Sequence, residues 1–323
     1  MHSQVPDALD LKLLQALQLD GRAPFNRIAD VLGVSDQTVA RRFRRLRTAV
    51  RLRVLGITDE SRLGRSTWLL RLRCTPDAAE QLAGALARRP DTAHVSVISG
   101  GTEVMCAMKP RTRQTKGLLL DRLQRTPRVT SVSAHCLLHH FYGGPAGWLS
   151  KINALSPEEQ TALSPPAVEP AGAPVALDDA DEALLDVLSR DGRAPLTELQ
   201  ASTNLPESAV RRRLDRLRST GVLYLDVQFN HERLGHGVVA MLWLTVAPAS
   251  LADVGHTLAT HPEVRFAAAT TGQANIVAAT LHPSTGDVYT YLSDKIGALD
   301  GVRSIETALT LREVKQLTYE PAR

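Results

Sequence analysis

Hydrophobic and polar residues alternate with helical spacing along residues 35–53, SDQTVARRFRRLRTAVRLR. Val39, Phe43 and Leu46 stand at positions i, i+4 and i+7, which form one apolar stripe on a helix. The opposite side is polar and mostly cationic, and it carries Gln37, Thr38, Arg41, Arg44 and Arg45. The pattern therefore predicts an amphipathic helix with a basic face.

The residues before this helix predict a shorter helix and a tight turn. Residues 24–34, PFNRIADVLGV, have helical periodicity and close at Gly33, which can adopt a left-handed conformation. Ala29, Gly33 and Val39 have the relative spacing that a helix-turn-helix requires, so the basic helix is predicted to be a recognition helix. A solvated surface helix is the alternative. Such a helix normally mixes charges, however, and here only Asp36 opposes the arginines.

The chain repeats itself. The motif DGRAP occurs at residues 20–24 and again at 191–195, and the same separation relates Val39 to Val210 and Leu46 to Leu217. The sequence therefore consists of two copies of one unit. Each copy opens with a helix, at residues 8–19 and 180–190, continues with the two-helix element, and then has an alternating stretch, at 51–58 and 222–230, that predicts a connecting strand.

The rest of each copy alternates strand, helix, strand, strand, helix, strand. The strands are predicted at 67–74, 94–99, 103–108 and 129–138 in the first copy and at 237–246, 264–271, 275–281 and 302–312 in the second; the helices are predicted at 76–88, 113–125, 251–260 and 285–299. This order predicts a ferredoxin-like βαββαβ domain, with one antiparallel sheet and both helices on one face. Apolar residues occupy both faces of strands such as WLLRL, so the bare face is expected to pack on another sheet.

We therefore predict an α+β protein with two copies of a winged-type helix-turn-helix domain followed by a ferredoxin-like domain. The expected boundaries are 1–58 and 59–142 for the first copy, 143–176 for a linker, and 177–230 and 231–323 for the second copy. The linker is rich in Pro, Gly and Ala, and within it SPEE, from Ser156, predicts the start of a short helix through Leu163.

Composition narrows the class of protein. The formal charge of +4 is modest, so basic character is local, as in a protein that touches DNA with one face. Cys74, Cys106 and Cys136 are too few and too widely spaced for a disulfide framework or a metal site, and we expect buried free thiols. The chain has no apolar run long enough for a membrane span, and its N-terminus is unlike a secretory signal, so a cytoplasmic protein is expected.

These motifs resemble the leucine-responsive regulatory protein and AsnC family of bacterial transcription regulators. The opening leucine-rich helix, DGRAP and the helix-turn-helix carry the resemblance in the first copy; LDDADEALLDVL, DGRAP, NLPESAVRRRLDRL and the closing strand VRSIETALTL carry it in the second. The resemblance implies binding of double-stranded DNA and of an amino-acid or small-metabolite effector, and no cofactor. It also implies sheet-to-sheet pairing, here within one chain as a pseudo-dimer, with further homo-oligomerisation expected.

The resemblance places DNA contacts on both recognition helices. The expected residues are Gln37, Thr38, Arg41, Arg44, Arg45, Arg47, Arg51 and Arg53 in the first copy and Ser208, Arg212, Arg213, Arg216 and Arg218 in the second. In the second copy Gln200, Asn204 and Pro206 replace Ala29, Gly33 and Ser35, and Asp215 stands where Arg44 stood. A carboxylate there repels phosphate, although it can accept a hydrogen bond from cytosine, so the first copy is expected to supply more affinity.

The family's ligand loop lies between the second and third strands of the ferredoxin-like domain. The matching segments are SGGTE, with Ser99, Gly100, Gly101, Thr102 and Glu103, and TGQAN, with Thr271, Gly272, Gln273 and Asn275. Glycine amides there could hold a carboxylate, while Glu103 or Asn275 could meet an ammonium. An ordinary β-turn is the equal alternative in each copy. The first copy departs from the family's pattern at Gly101 and Glu103.

Two other classes stay open. Siroheme decarboxylases resemble the same two-domain unit, but neither HVSVISGGTEVMCAM nor VRFAAATTGQANIVAAT has their histidine-and-aromatic-rich character, and His135, His139 and His140 lack metal-site spacing. We therefore expect no catalytic or metal site. The third class is a metabolite-responsive interaction protein with weakened DNA binding, which Asp215 favours and the intact first recognition helix argues against.

Overall fold

The computed structural model describes residues 6–109, 123, 126–165, 167–170 and 172–317. The chain divides into two compact units. Residues 1–64 and 144–235 form one, called here the helical unit; residues 65–143 and 236–323 form the other, the sheet unit. Each unit therefore takes its residues from both copies of the repeat.

The helices begin and end close to where the periodicity predicts them. They are α1 (Ala8–Leu19), α2 (Phe25–Leu32), α3 (Asp36–Ala49), α4 (Pro76–Ala87), α5 (Pro157–Leu163), α6 (Asp179–Arg190), α7 (Leu196–Thr203), α8 (Glu207–Ser219), α9 (Leu251–Thr260) and α10 (Thr285–Thr290), which continues as a π-helical turn over Tyr291–Ile296. The predicted helix at 113–125 lies outside the described residues, apart from residue 123.

The strands are β1 (Arg53–Thr58), β2 (Trp68–Cys74), β3 (Thr92–Ile98), β4 (Glu103–Met108), β5 (Val129–Tyr142), β6 (Leu223–Gln228), β7 (Val238–Val246), β8 (Val264–Thr270), β9 (Ile276–His282) and β10 (Val302–Lys315). The two closing strands, β5 and β10, extend a few residues past their predicted ends at 138 and 312.

Two three-helix cores build the helical unit. In the first copy Leu13, Leu17 and Leu46 are buried, and in the second Leu184, Leu188 and Leu217 fill the corresponding places; these positions are the helical stripes of the sequence. The turn before each recognition helix is left-handed, with φ of 65° at Gly33 and 55° at Asn204. Asparagine tolerates this conformation, so the second copy keeps the turn although the glycine is gone.

The strand that follows each recognition helix pairs with its counterpart from the other copy. β1 and β6 form a two-stranded antiparallel sheet with Arg53 opposite Gln228 and Thr58 opposite Leu223. A Cβ on Gly56 of β1 would lie 2.7 Å from the Cβ of Leu188, so the second copy's first helix packs directly on this strand. The two helix-turn-helix domains therefore share one sheet.

Much of the segment at 143–176 belongs to the first helical core. Leu149, Leu155 and Leu163 are buried with the leucines of α1, and Ser156 is the N-cap of α5 and forms a capping box with Glu159. Gln15 of α1 accepts hydrogen bonds from the backbone N–H groups of residues 154 and 155 at 2.8 Å each. Composition alone predicted the short helix but not this packing, because the apolar residues are isolated among Pro, Gly and Ser.

The sheet unit is a closed barrel of strand order β10-β3-β4-β2-β5-β8-β9-β7. Within it each copy keeps the ferredoxin-like order, β5-β2-β4-β3 and β10-β7-β9-β8. The closing strands join the copies, because β5 also pairs with β8 and β10 with β3. The bare faces of the two four-stranded sheets, one from each copy, pack on each other as predicted. Between them lie the side chains of Leu69, Met105, Met241, Trp243 and Val277.

Candidate DNA interface and effector site

The first recognition helix presents a polar, basic face to solvent. The side chain of Ser35 accepts a hydrogen bond from the N–H of Thr38 and caps α3 at its N-terminus. Gln37, Arg41 and Arg44 are exposed at i, i+4 and i+7, opposite the buried Val39 and Leu46. Residues at this spacing share one side of a helix, as a helix lying in the major groove requires.

The second recognition helix has the same shape and a different surface. Ser208, Arg212 and Asp215 are exposed on α8 at the positions that match Gln37, Arg41 and Arg44. Pro206 stands at its N-cap and supplies no side-chain hydrogen bond. Arg211, a further exposed arginine, forms an ion pair with Glu207 on the same helix at 2.6 Å. The outward stripe of α8 therefore carries one arginine and one carboxylate where that of α3 carries two arginines.

Several arginines expected at DNA also bind buried carboxylates within the helical domains. Arg45 forms an ion pair with Asp10, which is 1% exposed, and Arg42 donates to the same carboxylate at 3.0 Å. The second copy repeats the arrangement, since Arg213 and Arg216 both bind the buried Asp181, Arg213 at 2.8 Å. A buried carboxylate must be compensated, so these guanidinium groups serve the core.

The remaining predicted contacts divide between the two roles. Arg47 is exposed near the end of α3 and Arg51 follows it, whereas Arg53 donates to the carbonyl of Arg190 at 2.9 Å. Arg218 donates to Asp20 of the first copy at 2.9 Å. DNA contact stays a prediction for all of these residues, and the ones not described above in an ion pair or a hydrogen bond to another domain are Gln37, Thr38, Arg41, Arg44, Arg47, Arg51, Ser208 and Arg212.

In the first copy the predicted effector loop borders a cavity. Residues Ser99–Gly101 form a short turn with positive φ at each residue, and Glu103 follows, 3% exposed. The cavity has a volume of about 360 Å³; it is lined by Arg73, Cys74, Ser99, Thr102, Glu103, Thr130 and Glu306. It thus combines residues of the first copy with Glu306 from the closing strand of the second.

Two of the lining residues, Glu103 and Glu306, belong to an ion cluster centred on Arg71. Arg71 donates to Glu103 at 2.6 Å and to Glu306 at 2.7 Å, and its guanidinium carbon lies 3.9 Å from the ring centroid of Trp243. Burial acts to lower the pKa of Arg71, but the hydrogen bonds to Glu306 and Glu103 outweigh burial and raise it. The same pairing lowers the pKa of Glu306. Arg71 stays a cation at all ordinary pH values.

In the second copy the matching loop is tied to neighbouring strands. The Asn275 side chain accepts from the N–H of Val246 and donates to its carbonyl, both at 2.8 Å, which closes the end of β7. His135 of β5 lies over Gly272, where a Cβ would come within 2.3 Å of its Nδ1 atom, and Thr271 accepts a hydrogen bond from the N–H of Cys136. For this loop the effector-site and β-turn interpretations both stay predictions; the cavity described above borders the loop that matches the family's pattern less well.

The cysteines lie in strands of the sheet unit, as the sequence predicts. Cys74 and Cys106 are buried and free, and Cys136 is half-buried and free. Burial raises the pKa of the Cys106 thiol to about 12, which keeps it protonated and unreactive.

Over the part of the chain that the structure describes, no helix is long and apolar enough to cross a membrane.

Two comparisons place this architecture among helix-turn-helix DNA-binding proteins. The model of the AsnC-type helix-turn-helix domain matches residues 7–47 and 177–218, and that of the Lrp/AsnC ligand binding domain matches residues 239–319. HTH-type transcriptional regulator FL11 of Pyrococcus furiosus is 30% identical over 148 residues, which are 46% of this chain and 97% of that protein. LrpA of Pyrococcus abyssi is 30% identical over 140 residues, 43% of this chain and 99% of that protein.

The chain belongs to the Lrp/AsnC family of transcriptional regulators, with each relative matching about half of it. It is a DNA-binding transcriptional regulator that responds to a small molecule. The crystal structure of the siroheme decarboxylase NirDL superposes with a TM-score of 0.68 and 16% identity over 97% of this chain and 94% of that one. That likeness shows a shared fold.

Proposed function

We propose that this regulator reads an asymmetric operator with two unlike recognition helices in one chain. The observation that carries the proposal is the difference between their exposed stripes, Gln37, Arg41 and Arg44 on α3 against Ser208, Arg212 and Asp215 on α8. Two identical readers suit a palindrome, because operator symmetry mirrors protein symmetry. Two unlike readers suit half-sites of different sequence.

The first copy supplies most of the affinity in this proposal. Arg41 and Arg44 can each neutralise a phosphate or bind a guanine edge with two hydrogen bonds. On α8 the negative charge of Asp215 opposes phosphate, so Arg212 acts largely alone. Asp215 can accept from the N4 amino group of cytosine, which would give the weaker half-site a sequence preference.

We further propose that the effector is an amino acid bound in the cavity of the first copy. Carboxylates of Glu103 and Glu306 and the guanidinium of Arg73 line it, so it offers both signs of charge to a zwitterion. The volume of about 360 Å³ is at the lower end of the range for small-molecule sites, which suits a ligand of this size. The protein is proposed to act in the cytoplasm, as a homo-oligomer of chains that each contain a pseudo-dimer.

The deciding experiment is a titration of full-length protein against DNA from its own promoter at several salt concentrations. We expect R41A/R44A to weaken binding strongly, while R212A has a smaller effect. The slope of the logarithm of the binding constant against the logarithm of the salt concentration should become shallower in R41A/R44A, by the equivalent of about two phosphate contacts. R190A is the matched control, because Arg190 is exposed on α6 and pairs with Asp186. Binding no tighter than to random DNA, unaffected by these changes, would favour the interaction-protein alternative.

No catalytic activity is part of this proposal. The two regulator-family domains support that choice, whereas the shared fold with a siroheme decarboxylase is the observation that favours an enzyme. Incubation with an iron tetrapyrrole separates the two. Loss of carbon dioxide from the tetrapyrrole, measured by mass spectrometry, would overturn the non-enzyme proposal, and an unchanged tetrapyrrole would support it.

A further inference from the structure

The two DGRAP turns face each other in the helical unit and exchange their arginines. Arg22 donates to the carbonyl of Gly192 at 2.8 Å and to that of Ala194 at 3.0 Å. Arg193 does the same in return, with hydrogen bonds to the carbonyls of Gly21 and, at 3.1 Å, Ala23. The repeated motif therefore forms a reciprocal contact between its own two copies.

The first four residues of the motif, Asp, Gly, Arg and Ala, each have a part in this contact. Asp20 and Asp191 accept from the N–H groups of Arg22 and Arg193 at 3.1 and 2.8 Å, which shapes each turn. The glycines allow close approach: a Cβ at Gly21 would lie 2.6 Å from Val54, and one at Gly192 would lie 2.9 Å from the backbone of Leu55. Ala23 and Ala194 are fully buried.

The exchanged arginines are partly desolvated. Burial lowers the pKa of both Arg22 and Arg193, so each cation is held out of water and depends on the carbonyls that it binds. Arg193 also lies over Phe25 at 4.6 Å and Phe43 at 5.7 Å from the ring centroids. Phe43 belongs to the recognition helix α3, so a residue of the second copy packs against the reader of the first.

The position of the motif gives the contact its importance. Each DGRAP turn leads directly into the first helix of a helix-turn-helix, α2 after residue 24 and α7 after residue 195. The β1–β6 sheet also joins the two domains, but a two-stranded sheet alone twists easily. The arginine exchange adds a further contact between the two helix-turn-helix domains beside this sheet. It therefore limits the rotation of one domain against the other as well as the distance between them.

We propose that Arg22 and Arg193 are positioning residues that hold the two recognition helices at one spacing and one rotational phase, so that the chain accepts a single separation of half-sites. The inference rests on the DNA-binding function proposed above. Half-sites on one face of DNA repeat every 10–10.5 base pairs or so, and each inserted base pair turns one of them by roughly a tenth of a turn. A rigid pair of readers cannot follow that rotation without losing contacts.

The test uses full-length protein and duplexes selected from a random pool. The selected site is then remade with two base pairs inserted or deleted between its halves. We expect wild-type affinity to fall by about tenfold or more, as when well-made base contacts are lost. R22K/R193K keeps both charges but lacks the forked geometry for two carbonyls, so its loss is expected to be below about threefold. R88K/R190K, which changes one exposed arginine in each copy away from the DGRAP turns, should behave as wild type.

The outcomes are distinguishable. Wild-type protein that selects no sequence above random DNA would remove the proposed DNA reading itself. Selection of a site followed by equal tolerance of spacing in wild type and R22K/R193K would overturn the positioning role alone. If the double variant does not fold, as judged by circular dichroism, the single variant R193K serves in its place, and wild-type spacing strictness in that folded variant would equally overturn the role.

Discussion

At the scale of single residues, two buried carboxylates bind arginines that the sequence predicts at DNA. Asp10 and Asp181 occupy the same place in the first helix of each copy, each 1% exposed, and each holds two arginines from its recognition helix. The sequence shows a run of arginines on α3 and α8 but does not show which of them face inward carboxylates. Arg45 and Arg216 were therefore expected at DNA, and the structure gives them another partner.

Removal of one carboxylate tests this division. D10N is expected to lower the free energy of unfolding by about 2 kcal/mol, because two charge-assisted hydrogen bonds become weaker and the arginine charges lose their compensation. The figure is below that for a fully buried ion pair because the arginine side chains are partly exposed. Urea unfolding measures it. D30N is the control, since Asp30 is exposed on α2, and equal effects of the two changes would contradict the role of Asp10.

At the scale of elements, the two recognition helices differ mainly by one exposed charge. Asp215 on α8 takes the place of Arg44 on α3. D215R is expected to tighten binding to random-sequence duplex by roughly tenfold at moderate salt. The slope of the logarithm of the binding constant against the logarithm of the salt concentration should become steeper by the equivalent of about one phosphate contact. D186R adds the same charge on the exposed side of α6. If both variants bind alike, net charge explains the gain and α8 is not a reader.

Most elements could be predicted from the sequence because their signals are local. The leucine spacing, Gly33 and the capping box at Ser156 each act within a few residues, and α1 and α9 match their predicted limits. Pairing between copies depends on residues far apart in sequence. The ladders of β1 with β6 and of β5 with β8, like the partner of Arg22, follow from packing that no local pattern encodes.

At the candidate effector site, too, the sequence predicted the local motif but not the residues that come from distant strands. The loop that borders the cavity was identified from its resemblance to a family pattern, including Ser99 and Glu103. Arg73 and Glu306, which also line the cavity, were missed because they lie on strands of different copies and carry no motif. A charged residue within an otherwise apolar strand, as in WLLRL, was the available signal that Arg71 has a partner inside the sheet unit.

At the scale of the whole molecule, the two copies are fused in one chain, so the residues that meet between their sheets need not be identical. Arg71 lies opposite Met105 on β4, and Trp243 lies opposite Val277 on β9. Met105 and Val277 each stand two residues after the matched loop, so Arg71 and Trp243 occupy equivalent places in the two copies. They meet as a cation and an aromatic ring, with the Arg71 guanidinium also bound to Glu306. Pairing of two first copies would bring arginine to arginine instead. The cluster thus favours the pairing of unlike copies that one chain provides.

Double substitution within this cluster gives a test with a definite sign. R71M leaves the Glu103 carboxylate, 3% exposed, without its arginine, and we expect the free energy of unfolding of the sheet unit to fall by about 3 kcal/mol. R71M/E103Q removes the uncompensated charge as well, so it is expected to recover a good part of that loss although it changes one more residue. E306Q alone should cost less than about 1 kcal/mol, because Glu306 is half exposed and Glu103 still holds Arg71. Denaturant unfolding of the full chain, followed by far-ultraviolet circular dichroism, gives the three values. A double variant no more stable than R71M would contradict the role of Arg71 in compensating the buried Glu103 carboxylate.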